Sequence, residues 1–80
     1  MEEKRHVFSF TVDGEPFETH EHVLTPRMIM SLAGVDPDIH YLVLVEGRQQ
    51  KSFEGRPNEE IHMRNHMKFL TVSTGPTPVS

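Results

Sequence analysis

The chain contains no cysteine. Disulfide staples, thiolate metal sites and thiol nucleophiles are therefore excluded. The fold has to be held by its core alone, as suits a reducing cytoplasm. No apolar stretch approaches the roughly 18–20 residues that span a bilayer. The opening Met1-Glu2-Glu3-Lys4-Arg5-His6 has no apolar signal core. Together these absences read as a soluble cytoplasmic protein with no membrane partner. Basic charge is scarce as well: the net charge is −4 with histidines neutral, and no basic run exceeds Lys4-Arg5. Phosphate neutralisation needs a basic stripe, so nucleic acid is not expected as a partner. There is no internal repeat.

What is present is one domain's worth of chain, 80 residues. A domain of this size buries only about 60–65% of the surface its unfolded chain exposes. Nearly every apolar residue in a regular element is then needed for folding, and a deep substrate cavity would consume core the chain can hardly spare. Residues 1–6 read as a flexible N-terminal segment, 7–73 as the folded domain and 74–80 as a flexible tail.

Phe8, Phe10 and Val12 alternate with Ser9 and Thr11, the period of a half-buried strand. Asp13-Gly14 is a strong hairpin turn signal. Pro16 to Val23 then offers a polar second strand, and Pro16 near its start marks a sheet edge. Thr25 suits a helix N-cap and Pro26 the first helical position. Met28, Ile29, Leu32 and Ala33 offer an apolar helix face, of Met28 and Met30 one is expected in the core and the other exposed or at a partner contact, and Gly34 stands where a left-handed C-cap is expected. Ile39 to Val45, apolar on both faces, reads as a central strand. Gln49 to Phe53 can form a short strand after the turn at Glu46-Gly47-Arg48. Glu59 to His66 is polar and offers one helical turn. Met67 to Ser73 reads as a last strand, and Gly75-Pro76-Thr77-Pro78-Val79-Ser80 as irregular chain. Strand, strand, helix, strand, short strand, strand is the order of a two-layer α+β domain, with one helix across a mixed sheet of four to five strands.

Several short pieces resemble ubiquitin. Gly34-Val35-Asp36-Pro37-Asp38 is similar to the Gly-Ile-Pro-Pro-Asp that follows the ubiquitin helix. Leu44-Val45-Glu46-Gly47-Arg48-Gln49 is similar to its Ile-Phe-Ala-Gly-Lys-Gln, and Glu54-Gly55-Arg56 to its Asp-Gly-Arg loop. A closer resemblance is to the bacterial multiubiquitin family. It rests on Phe10-Thr11-Val12-Asp13-Gly14-Glu15-Pro16-Phe17-Glu18, on Val23-Leu24-Thr25-Pro26-Arg27, on Leu32-Ala33-Gly34-Val35-Asp36-Pro37, and on a final strand like Phe69-Leu70-Thr71-Val72. It covers about residues 7–73.

The resemblance implies a ubiquitin-like β-grasp fold with the first and last strands parallel neighbours at the sheet centre. It implies a protein modifier, no cofactor, and three kinds of partner: a ubiquitin-activating-like enzyme, a ubiquitin-conjugating-like enzyme and a deconjugating or processing peptidase. Matching to ubiquitin places Leu44 on an exposed recognition face, with Leu42 beside it and Leu70 or Val72 extending it from the last strand; a branched residue on a central strand is more usually core, so for Leu44 both placements stay open. The tail departs from ubiquitin's terminal Gly-Gly: it has Gly75 alone, followed by Pro76. Either a peptidase removes residues 76–80 to expose the Gly75 carboxylate, or Ser80 is used directly, or the tail is never conjugated. In the last case the domain is a non-covalent interaction module, using its sheet face or a free edge. The sulfur carriers of this fold need the Gly-Gly that is missing here.

Enzymatic chemistry finds little support. Ser9, Ser31, Ser52 and Ser73 lie on expected strands or the helix, with no nucleophile elbow around them. His62 and His66 stand at i, i+4, and His20 and His22 share a strand face. A structural metal site normally takes four ligands, and no convincing further donors stand beside these, so they read as solvated polar residues.

Overall fold

Alternating residues between Phe8 and Thr19 fold back on themselves at Asp13-Gly14, and the rest of the sheet is assembled on that hairpin. The computed structural model describes residues 7–74. Its elements are β1 (Phe8–Val12), β2 (Glu15–Thr19), β3 (Val23–Leu24), α1 (Pro26–Leu32), β4 (His40–Glu46), β5 (Gln49–Ser52), β6 (Ile61–His62) and β7 (Met67–Ser73). Across the first turn Val12 stands opposite Glu15. Both turn residues have positive φ, 53° at Asp13 and 85° at Gly14. This is the primed-turn geometry, whose twist matches the strands it joins.

Helix α1 begins where Thr25 Oγ1 accepts the Met28 N–H at 3.2 Å, with Pro26 as the first helical residue. It ends at Gly34, φ 76°. There the Gly34 N–H donates to the Ser31 carbonyl and the Val35 N–H to the Met30 carbonyl. This paired closure satisfies carbonyls the helix leaves orphaned and turns Val35 onto the core. Thr25→Ala is expected to destabilise the domain by about 1 kcal/mol and lower its Tm by about 4–8 °C in a thermal melt followed by circular dichroism. An unchanged melt would make the Thr25 hydroxyl incidental to the helix start.

The buried face of α1 differs from the expected stripe. Pro26, Ile29 and Met30 are buried, while Met28 and Leu32 are 49% and 53% exposed. Pro26, Ile29, Met30 and Ala33 follow i, i+3, i+4, i+7 spacing. The first turn is pinned by the Arg27 N–H donating to the Pro57 carbonyl at 3.0 Å. With Pro26 inward, Met28 and Leu32 turn to solvent.

The main sheet has the order β2-β1-β7-β4-β5. β1 and β7 are parallel neighbours, and the other pairs are antiparallel. This is the expected α+β class, a mixed five-stranded sheet crossed by one helix in the β-grasp arrangement. β2 is an edge, so the missing N–H of Pro16 leaves no gap inside the sheet. The segment expected to hold a helical turn is instead extended. β6 pairs with β3 in a small separate ribbon, and the Met63 N–H donates to the His22 carbonyl at 2.8 Å. Ile61 and Met63 are buried and alternate with exposed His62 and Arg64, a strand's period compressed into four residues.

The core lies between the inner sheet face, α1 and this ribbon. It gathers Phe10, Leu42, Leu44 and Phe69 from the sheet and Ile29 and Met30 from the helix. Phe10 is its aromatic hub, stacked on Phe17 at 5.9 Å and edge-on to Phe69 at 6.0 Å. Such pairs add about 0.5–1.5 kcal/mol beyond the area they bury. No helix among the described residues is long and apolar enough to cross a membrane.

Candidate partner-binding face

Successive side chains of a strand point to opposite faces, so pairing register decides which residues share the uncovered side of the sheet. On β4, Leu42 and Leu44 face the core, which turns Tyr41, Val43 and Val45 outward. On β7, Met67 and Phe69 face the core, which turns Lys68, Leu70 and Val72 outward. The two outward sets meet directly: Val43 stands opposite Leu70, Tyr41 opposite Val72 and Val45 opposite Lys68. Leu70 is 42% exposed and Val72 37%. Val43 is buried yet lies outside the core cluster. Leu70 flanks it on one side and Ser52 of β5 on the other. The result is an apolar strip across two central strands, whose exposed part is Leu70 and Val72.

Leu42 and Leu44, expected on this face, belong to the core, with 0% and 6% exposure. They stand opposite Thr71 and Phe69. The physical cause is parity. The β4–β5 turn falls at Gly47-Arg48, with Glu46 opposite Gln49, and Gly47 takes φ 59°. A one-residue difference in register exchanges every side chain between faces. Tyr41, Val43 and Val45 therefore occupy the place given to Leu42 and Leu44. Lys68 was the available signal: a lysine inside β7 marks that strand's solvated side and puts Leu70 and Val72 on it. The run from Ile39 to Val45 carries no such marker.

The outer strip is held from one end by Asp13. Its carboxylate accepts the Thr71 N–H at 2.9 Å and the Thr71 hydroxyl at 2.6 Å. Its own N–H donates to the Phe69 carbonyl at 2.9 Å. The hairpin turn thus braces the stretch of β7 that projects Leu70 and Val72.

At the far end of β7 the Thr74 N–H donates to the Ile39 carbonyl at 2.8 Å. Ser73 and Thr74 are exposed, so the described chain ends at the rim of the sheet. Gly75 and Pro76 lie outside the described residues. His62 and His66 do not share a helical turn: His62 is in β6 and His66 sits in a tight turn with φ 66°. Among the described residues no group of three or more histidine, aspartate or glutamate side chains could hold a metal ion. Comparison with protein-family models, curated proteins and solved structures returned no match.

Proposed function

We propose that this chain is a ubiquitin-like protein modifier of the multiubiquitin kind. Its tail is processed at Gly75-Pro76, activated, and conjugated to targets by activating-like and conjugating-like enzymes. The observation that carries the reading is the β-grasp arrangement, whose last strand ends exposed at the sheet rim two residues before Gly75. Glycine suits the reacting position because, lacking a Cβ, it lets an enzyme's groups approach its carbonyl closely. The apolar strip of Val43, Leu70 and Val72 supports the reading as a handle by which such enzymes hold the domain. The same strip would also serve a non-covalent interaction module, the second reading.

The two separate on covalent chemistry. Co-expression with an activating-like enzyme, a conjugating-like enzyme and a processing peptidase, followed by intact-mass measurement, is expected to show loss of residues 76–80 and an ATP-dependent adduct through Gly75. Gly75→Val is expected to abolish both. Ser80 retained throughout, with no adduct in the presence of ATP, would leave only the interaction module.

A further inference from the structure

The chain's negative charge is not spread evenly. Between Val7 and Pro26 stand Asp13, Glu15, Glu18 and Glu21, with no lysine or arginine. The other eight of the chain's 12 acidic residues are matched by its eight lysines and arginines, so this stretch carries the whole net charge of −4. Asp13 is engaged with Thr71. Glu15, Glu18 and Glu21 are exposed, and among the described residues none of the three forms an ion pair.

The same stretch supplies β2, the sheet edge opposite β5. The two-residue turn makes Val12 and Glu15 a hydrogen-bonded pair, and alternation then leaves Ser9 and Glu18 as a pair without mutual bonds. The backbone N–H and carbonyl of Glu18 therefore point away from β1, off the sheet. Pro16, two residues earlier and pointing the same way, has no N–H, so a long added strand cannot run the length of this edge. A short one can, centred on Glu18.

Beside that edge lies a groove between the end of β2 and α1, lined by Thr19, Glu21, Leu24, Met28 and Leu32 among others. Leu24 is buried. Met28 and Leu32, one helical turn apart, are the two most exposed large apolar side chains among the described residues. Arg27, also at the groove, stands beside Asp38 at 3.7 Å, so Glu21 is left as the groove's unmatched charge.

We propose that this edge and groove take a short extended segment of a partner protein in which apolar and basic residues alternate. Its main chain pairs with Glu18. Successive side chains of a strand point to opposite faces. The apolar ones then enter the groove over Met28 and Leu32, and the lysines or arginines stand beside Glu18 on the other face. Acidic segments are repelled, and so is a second copy presenting its own β2 edge. The proposal goes beyond the modifier reading and needs neither the tail nor the outer sheet face.

The test titrates the full chain with acetyl-Ile-Lys-Val-Lys-Ile-amide and with acetyl-Ile-Glu-Val-Glu-Ile-amide, followed by amide chemical shifts. The basic peptide is expected to shift Glu18, Thr19, Glu21, Met28 and Leu32. At low salt it should bind about tenfold more tightly than the acidic one, the combined weight of a few surface charge pairs. Salt at about 1 M, where charges are screened beyond roughly 3 Å, should close that gap. Glu18→Lys combined with Glu21→Lys should reverse the preference, and Leu32→Gln should weaken both peptides; all three changes are at exposed positions. Equal affinities for the unaltered chain at low salt would overturn the proposal, as would binding of neither peptide. Shifts at Leu70 and Val72 in place of the groove would overturn it too. Concentration-dependent shifts at Glu18 without any peptide would give the edge to a second copy instead. The conjugation assay is independent of all these outcomes.

Discussion

Leu44→Arg is expected to unfold the domain, and Leu70→Arg, on the adjacent strand and the opposite face, is expected to leave it folded. Leu44 is 6% exposed and packed in the core cluster. Losing its side chain from a core costs about 2–5 kcal/mol, and burying an unpaired guanidinium adds several more. A domain of this length has about 4–12 kcal/mol of stability in all. Leu70 is 42% exposed, and an arginine there can lay its stem along the sheet with its charge in water. That change stays within about 1 kcal/mol. Thermal melts and the dispersion of amide resonances would read both. A folded Leu44→Arg would mean that the two sides of β4 have been exchanged. If the outer strip is where enzymes hold this chain, folded Leu70→Arg should also fail to form the ATP-dependent adduct.

Asp13→Ala is expected to cost about 2–4 kcal/mol, a large loss for a turn residue. Two effects add. Asp13 has φ 53°, where a residue with a Cβ is strained by about 1–2 kcal/mol and where aspartate and asparagine are tolerated better than most. Its carboxylate also accepts both donors of Thr71; at this exposed site water can replace the acceptor, so losing these charge-assisted bonds costs about 1–2 kcal/mol. Asp13→Asn keeps the conformation and one acceptor, and should cost about 1 kcal/mol. Asp13→Gly relieves the backbone and loses both acceptors, so it should fall between them. Urea denaturation would give the order. Equal losses for Gly and Ala would remove conformation from the account, and no loss in any variant would remove the link between the hairpin turn and β7.

Much of the fold was legible one segment at a time. Met67–Ser73 is a strand over the range its alternation indicates. The Asp13-Gly14 turn, the Thr25-Pro26 helix start and the left-handed Gly34 are all where their chemistry places them. Met30 is the buried member of the Met28–Met30 pair. Four readings turned out differently, for related reasons. The polar strand expected from Pro16 to Val23 ends at Thr19, and Val23 passes to β3, whose partner β6 is distant in sequence. Ile61 and Met63 span too few residues for their alternation to stand out against a polar segment. Spacing alone runs the α1 stripe through Met28 and Leu32, because nothing local reveals that Pro26 faces inward. The ubiquitin match puts Leu42 and Leu44 on the outer face, and a run apolar on both sides carries no parity of its own to correct it.

The candidate face follows the same division. Leu70 and Val72 stand on the side that Lys68 marks as solvated, which β7's own residues reveal. Tyr41, Val43 and Val45 join them only through the β4–β7 register. Glu46 and Arg64, 18 residues apart, form an ion pair that no spacing rule joins.

Turn chemistry, caps and alternation are short-range effects, set by a residue's own backbone preferences and by neighbours within one turn or hairpin. They were enough to determine the kinds of element, their order and the α+β class. Which side of each element meets the core is settled only when distant strands pair and one helix is laid across them. Packing then selects a single parity from two that are locally almost equal in energy, and it is this choice, made in three dimensions, that seals Leu44 into the core and leaves Leu70 and Val72 exposed on the other side.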